Sequence, residues 1–266
     1  MMRLMFISDV RNFQFSDSLI KLFKPDYFFF LGDILFDGPG QFYLIKKGEH
    51  INFVDVEQLS KENIVESFED YTIFKGNTHI SKELFKVHLY YFLKTLRLLE
   101  ELGIGYALIS GNHDMFIDYG DIFFHNNLRR GIFVKNVKKL KLDDTEILLI
   151  SYSSPFDSVE IKNSKIVATH ERKFILQKII RNLGKCSVVI SGHYGINVEL
   201  YSEKEKVASS YYEKLLIKID NFPFSFAVYE NERFSLYRSN LVNFLTDKLK
   251  IEDFNITNRK LCVLGS

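Results

Sequence analysis

Gly111-Asn112-His113-Asp114 sets an amide oxygen, an imidazole and a carboxylate side by side, directly after the apolar run Tyr106-Ala107-Leu108-Ile109-Ser110. Such groups bind divalent metals or move protons, and open α/β sheets present them at the carboxyl ends of their strands. Four more apolar runs end in the same way. Asp9 closes Leu4-Met5-Phe6-Ile7-Ser8, Asp33 closes the run from Tyr27 to Gly32, His170 closes Ile166-Val167-Ala168-Thr169, and His193 closes the run from Ser187 to Gly192. One Asp or His at such a place is ordinarily a turn residue or a helix cap. Five at equivalent places point to one shared site.

The elements that must carry these residues follow from the pattern of apolar residues. Short continuous apolar runs read as strands buried on both faces, hence a largely parallel sheet with helices on its faces. After Ser81, residues Leu84, Val87, Tyr91, Leu93, Leu96 and Leu99 fall at helical spacing, and Gly103 and Gly105 lead into the strand before Asn112. Residues 132–137 and 140–153, with Asp143-Asp144-Thr145 as a turn, predict strands of a second, more antiparallel sheet. A helix is expected over 171–183 and strands over 214–219, 225–230 and 233–238. Residues 240–266 are expected to hold a C-terminal helix (241–249) and a tail. The fold class is α/β: a two-sheet α/β sandwich with helices on the outer faces and the site at one edge, forming a single domain over 1–266.

The ordered series resembles the calcineurin-like metallophosphoesterase superfamily, whose pattern is Asp-x-His, Gly-Asp, Gly-Asn-His-Asp, a lone His, and Gly-His-x-His. Here it stands as Asp9-Val10-Arg11, Gly32-Asp33, Gly111-Asn112-His113-Asp114, Thr169-His170 and Gly192-His193-Tyr194-Gly195, over roughly the first 195 residues. The resemblance implies a fold of the metallophosphoesterase sandwich type and a pair of metal ions sharing Asp33. One ion would also take Asn112, His170 and His193, and every one of these is present. The other would take Asp9 and two histidines, but Arg11 and Gly195 stand in their places. Arginine stays cationic and offers a metal no lone pair, and glycine has no side chain.

The expected cofactor is therefore a divalent metal, one or two ions, with manganese foremost and iron, zinc, cobalt or nickel as alternatives. A mononuclear or asymmetric site is the favoured arrangement, with the Arg11 guanidinium partly replacing the lost ion by forking onto a carboxylate or phosphate. Alternatively Arg11 faces solvent and a weak second ion is held by Asp9, Asp33 and water. Carried over by position, His113 would serve as general acid to the leaving oxygen, oriented by Asp9. Asp114 would hold the loop as the third member of the catalytic set with His113 and Arg11. His170 and His193 must be neutral to ligate, so activity is expected to fall below about pH 6. No nucleophilic Ser or Cys arrangement competes, and Cys186 and Cys262 have no metal-binding or redox spacing.

The organisation departs from a compact family member over 36–80. This insertion opens with the turn signal Asp37-Gly38-Pro39-Gly40, and its length predicts a lid or a homo-oligomerisation element. His50 and His79 lie in or beside it, and either one would have to reach back to restore a missing ligand. A formal charge of +1 gives no basic excess, so nucleic acid is not the favoured partner. The 26 Phe and 14 Tyr fall mostly within apolar runs, where they serve the core. No apolar stretch approaches the ~20 residues that span a bilayer. With two cysteines and no disulfide framework, a cytoplasmic protein without membrane association is expected.

These expectations combine into a hydrolase: a metallophosphoesterase attacking a phosphodiester or phosphomonoester with metal-activated water. A small phosphoester or nucleotide is the expected substrate. A phosphodiesterase is favoured, because a site with one ion fewer handles a dianionic monoester less well. The alternatives are a non-hydrolytic phosphate- or nucleotide-binding or regulatory descendant of such an enzyme, and a nuclease acting with a partner.

Overall fold

The computed structural model describes residues 2–10, 19–35, 42–46, 64–68, 71–75, 81–115, 117–184, 187–193, 197–203, 212–218, 224–231, 233–239 and 250–255. Among the described residues the strands form three sheets. The largest is built from β1 (Arg3–Ile7), β2 (Tyr27–Leu31), β6 (Gly105–Ile109), β7 (Gly131–Val134), β14 (Phe224–Glu230), β15 (Arg233–Ser239) and β16 (Lys250–Asn255), in the order β16-β15-β14-β1-β2-β6-β7. The second comprises β8 (Val137–Leu142), β9 (Thr145–Ile150), β10 (Ile166–Thr169), β11 (Val188–Ser191), β12 (Asn197–Glu203) and β13 (Tyr212–Lys218), in the order β12-β13-β11-β10-β9-β8.

Alternation along the strands decides how these sheets stack. Met5, Ile7, Phe28, Phe30, Tyr106 and Leu108 face the helix Ser81–Glu101 and pack on its Val87, Tyr91, Phe92, Leu96 and Leu99. Their neighbours Leu4, Phe6, Phe29, Leu31, Ala107 and Ile109 point the other way, onto Ile147, Leu149, Ile166, Ala168, Val188 and Ile190 of the second sheet. The far face of that sheet, with Leu148, Ile150, Val167 and Val189, is covered by Ile161, Leu176, Ile179 and Ile180 from the helices Ser158–Asn163 and Lys173–Asn182. The protein is thus mixed α/β, two sheets face to face with helices on the outer faces. Strands buried on both sides need unbroken apolar runs, which these have. Phe6 and Phe29 stack at 4.7 Å in the middle layer.

Several expectations are corrected. The five apolar runs do not share one parallel sheet: β1, β2 and β6 run parallel in the first, β10 and β11 in the second. Residues 131–134 extend the first sheet, parallel to β6, whereas β8 pairs antiparallel with β9 in the second. The second sheet is not mainly antiparallel, since β9, β10, β11 and β13 are parallel neighbours. The C-terminal tail contains β16, antiparallel to β15, while the helix expected at 241–249 lies outside the described residues. Within the insertion, β3 (Phe42–Lys46), β4 (Ile64–Phe68) and β5 (Tyr71–Lys75) form an antiparallel sheet in the order β3-β5-β4. The remainder of the insertion, with His50 and His79, lies outside the described residues.

Candidate metal centre

Splitting the runs between two sheets leaves their carboxyl ends together, because the sheets stack with those edges aligned. β2 passes into Gly32 (φ +75°) and Asp33 (φ 52°), and β1 passes into Asp9 (φ 52°), whose N–H donates to Gly32 O at 3.1 Å. These left-handed residues end each strand abruptly and turn the next side chain across the sheet edge, a conformation that Asp tolerates better than most residues. The loops then meet at close range. A Cβ added at Gly111 would stand 2.1 Å from Asp33 Oδ1, and one at Gly192 would stand 1.9 Å from Ser8 Oγ and 2.7 Å from His170 Nδ1. Both glycines of the motifs are therefore spacing requirements of the site.

Donor atoms of Asp33, His170 and His193 lie within 4.8 Å of one another. His170 Nε2 is 3.1 Å from Asp33 Oδ2 and 3.3 Å from Asn112 Oδ1. Its other nitrogen, Nδ1, is 2.7 Å from Leu31 O, so the ring proton belongs there and Nε2 is left to present a lone pair. The His193 ring lies 5.1 Å from the His170 ring. A carboxylate oxygen, an amide oxygen and two imidazoles thus crowd together with few donors between them. A divalent ion satisfies such a set. The mixture of N and O ligands suits manganese, iron, zinc, cobalt or nickel better than calcium or magnesium, which take oxygen alone.

Charge in the metal-free cluster is shared unevenly. Burial opposes a charge on His170, but the Asp9 and Asp33 carboxylates outweigh it and push the imidazole up to about 9. His193 goes the other way, down to about 4, through burial first and then the neighbouring His170 charge. Burial works to raise Asp33, but its hydrogen bond and ion pair with His170 prevail and hold it below the usual carboxylate range. The surroundings thus move the two rings in opposite directions from the ordinary imidazole value.

The remaining predicted residues take different places. Asp9 is buried beside the cluster, but its Oδ2 accepts from His193 N at 3.1 Å and lies 2.7 Å from Ser8 Oγ, and it is not among the three converging groups. His113 is exposed, and its main-chain N–H donates to Asp33 Oδ1 at 2.9 Å. Asp114, grouped with the catalytic residues by sequence, is wholly buried and accepts from Gly111 N at 2.5 Å, Ile34 N at 2.8 Å and Tyr119 OH at 2.5 Å. Both of its oxygens are engaged, so its part is to tie the loops after β2 and β6 together. Arg11 and Gly195 lie outside the described residues.

Sequence reasoning missed Ser8, Tyr119, Tyr152 and Arg172. Tyr119 OH accepts from Leu35 N at 3.0 Å while donating to Asp114, which completes the loop tie. Tyr152 follows β9, and its ring stands 6.3 Å from that of His193. Arg172 follows β10 by three residues and donates from Nε to the Tyr152 hydroxyl. For Ser8, Tyr152 and Arg172 the usable signal was position after a strand, applied to every residue type rather than to Asp and His alone.

No family model matches the chain, and no curated protein matches it. Among solved structures 34 chains match. One covers 95% of this chain and 99% of its own length at 13% identity, with a TM-score of 0.44, a likeness too slight to carry an argument. Among the described residues no helix is long and apolar enough to cross a membrane.

Proposed function

We propose that this protein is a metal-dependent phosphoesterase of the calcineurin-like metallophosphoesterase kind, acting on a phosphodiester or phosphomonoester with an asymmetric metal site. One observation carries the reading. Asp33, Asn112, His170 and His193, the four positions that the motif order assigns to a single ion, converge from four strand ends and two sheets on one point. A bound divalent ion would supply Lewis acidity toward a phosphoryl oxygen and a water acidic enough to ionise near neutral pH.

The chain's own residues do the rest. Leu31 O fixes the tautomer of the neutral His170 ring and so holds its Nε2 toward Asp33. His113, exposed beside Asp33, is the candidate donor of a proton to the leaving oxygen, a contribution typically worth ~10² to 10⁴ in rate. Asp114 acts through these residues by fixing the loop that bears Asn112 and His113. Elemental analysis together with hydrolysis of a generic aryl phosphodiester in manganese tests the reading. Stoichiometric metal and turnover that drops by about 10² or more in His113→Ala support it.

A second reading, a phosphate-binding protein without turnover, draws on the sequence at Arg11 and Gly195 and on the engagement of Asp9 Oδ2 by Ser8 and His193. Metal binding without turnover, persisting in the double variant Arg11→His, Gly195→His, would select it.

A further inference from the structure

We propose that Arg172 is the anion-recognising residue of this site, its guanidinium taking a non-bridging oxygen of the phosphoryl group presented to the metal. The inference rests on the phosphoesterase reading above and deepens it by naming the residue that selects the substrate's charge. Three observations combine. Tyr152 is a fixed platform: it is largely buried, its N–H donates to Ser110 O at 3.0 Å, and its ring stands 6.3 Å from the His193 ring. The Arg172 guanidinium carbon lies 5.2 Å from the centre of that ring, and Nε donates to the same residue's hydroxyl. Arg172 itself is exposed on the rim, and its two Nη groups make no hydrogen bond or ion pair with a described residue.

The obvious structural uses of this side chain are already filled or absent. Arg172 is the N-cap residue of the helix Lys173–Asn182, but its side chain makes no capping bond. The neighbouring Glu171 turns inward and accepts the Arg172 main-chain N–H at 3.3 Å rather than the guanidinium. An arginine loses much rotamer freedom when it is ordered on a ligand. Here the Tyr152 contacts meet that cost in advance and leave the Nη fork open, which is the preorganisation that planar recognition of phosphate needs. Electrostatics point the same way. The Arg172 charge is felt at the candidate ligand His193, where it opposes a further cation when the site is empty of substrate. It becomes favourable once an anion lies between guanidinium and ion, so the arrangement discriminates for an anionic ligand.

The test is titration of inorganic phosphate into the protein by calorimetry, with and without Mn²⁺, in wild type, Arg172→Ala, Arg172→Lys and Tyr152→Phe. Loss of one charge-assisted contact predicts a phosphate Kd raised about tenfold to a hundredfold in Arg172→Ala. Arg172→Lys should fall between, since it keeps charge but loses the fork. Tyr152→Phe should weaken phosphate by only a few-fold, roughly, by freeing the guanidinium. Mn²⁺ affinity in Arg172→Ala should stay level or rise. Absence of phosphate binding, or an Arg172→Ala Kd within about twofold of wild type, overturns the proposal. Arg172-dependent phosphate binding without turnover of the aryl phosphodiester leaves this inference standing and removes the hydrolytic reading. Turnover without such dependence does the reverse.

Discussion

Asp33 and Asp114 are two buried carboxylates on the loops that follow the neighbouring strands β2 and β6, and their surroundings send them in opposite directions. Asp33 faces imidazoles: Oδ2 is 3.1 Å from His170 Nε2, and the carboxyl is held below its usual range although burial works against it. Asp114 faces two main-chain N–H groups and a phenol, and burial prevails to raise it. The nearby charge of Asp33 raises it further. The difference teaches what separates a candidate ligand from a brace at equal depth. Main-chain donors use up a carboxylate's lone pairs permanently, whereas an imidazole proton can leave and a cation can take its place.

Breaking the brace should have the largest effect on folding. Asp114→Ala strands Gly111 N, Ile34 N and Tyr119 OH without their acceptor, and at about 1–3 kcal/mol each the loss should be at least about 3 kcal/mol in urea denaturation. A cost under about 1 kcal/mol would show that the loops hold without Asp114. Asp33→Asn should do the converse. Manganese affinity should fall about a hundredfold or more by calorimetry, while the metal-free protein still folds, because the amide keeps the shape of the side chain and an acceptor for His113 N. If instead it unfolds the protein while Asp114→Ala does not, the assignment of ligand and brace is inverted.

The pH response of the wild type sharpens the comparison further. In the metal-free protein His170 is raised from 6.5 to about 9, so its ion pair stabilises fully below about 6.5 and is lost as pH rises through about 9. The metal-free melting temperature should therefore decline over that interval. Manganese must displace the same proton, so its affinity should climb by about tenfold per pH unit between those limits, with about one proton released per ion at pH 8. Calorimetry in two buffers of different ionisation enthalpy measures that release. A metal-free Asp33→Asn protein should show a shallower decline, because one of the two carboxylates holding His170 is gone.

Much of this was legible because strand-end chemistry is local. A buried strand needs an uninterrupted apolar run, and the first polar residue after it must sit at the sheet edge. That rule located Asp9, Asp33, His170 and His193 and brought Asn112 and His113 with the motif. It failed where a residue's role depends on a partner far away in sequence. Tyr119 and Asp114 serve the loop after β2 across about eighty positions, and Arg172 meets Tyr152 in the loop after another strand. The strand beginning at Gly131 was assigned to the wrong sheet for a related reason, since its alternation is compatible with either edge.

The sequence by itself determined which residue types stand at the strand ends, that four of them stand where the motif order would put the ligands of one ion, and that helices alternate with buried strands. Tertiary structure alone decided that the five runs divide between two sheets and still meet at one edge, that Asp9 is engaged by Ser8 and His193 while Asp33 stays with the cluster, and that Asp114 is a brace. The physical reason is that residue identity fixes which lone pairs and protons a site can offer, whereas packing fixes which of them are already spent.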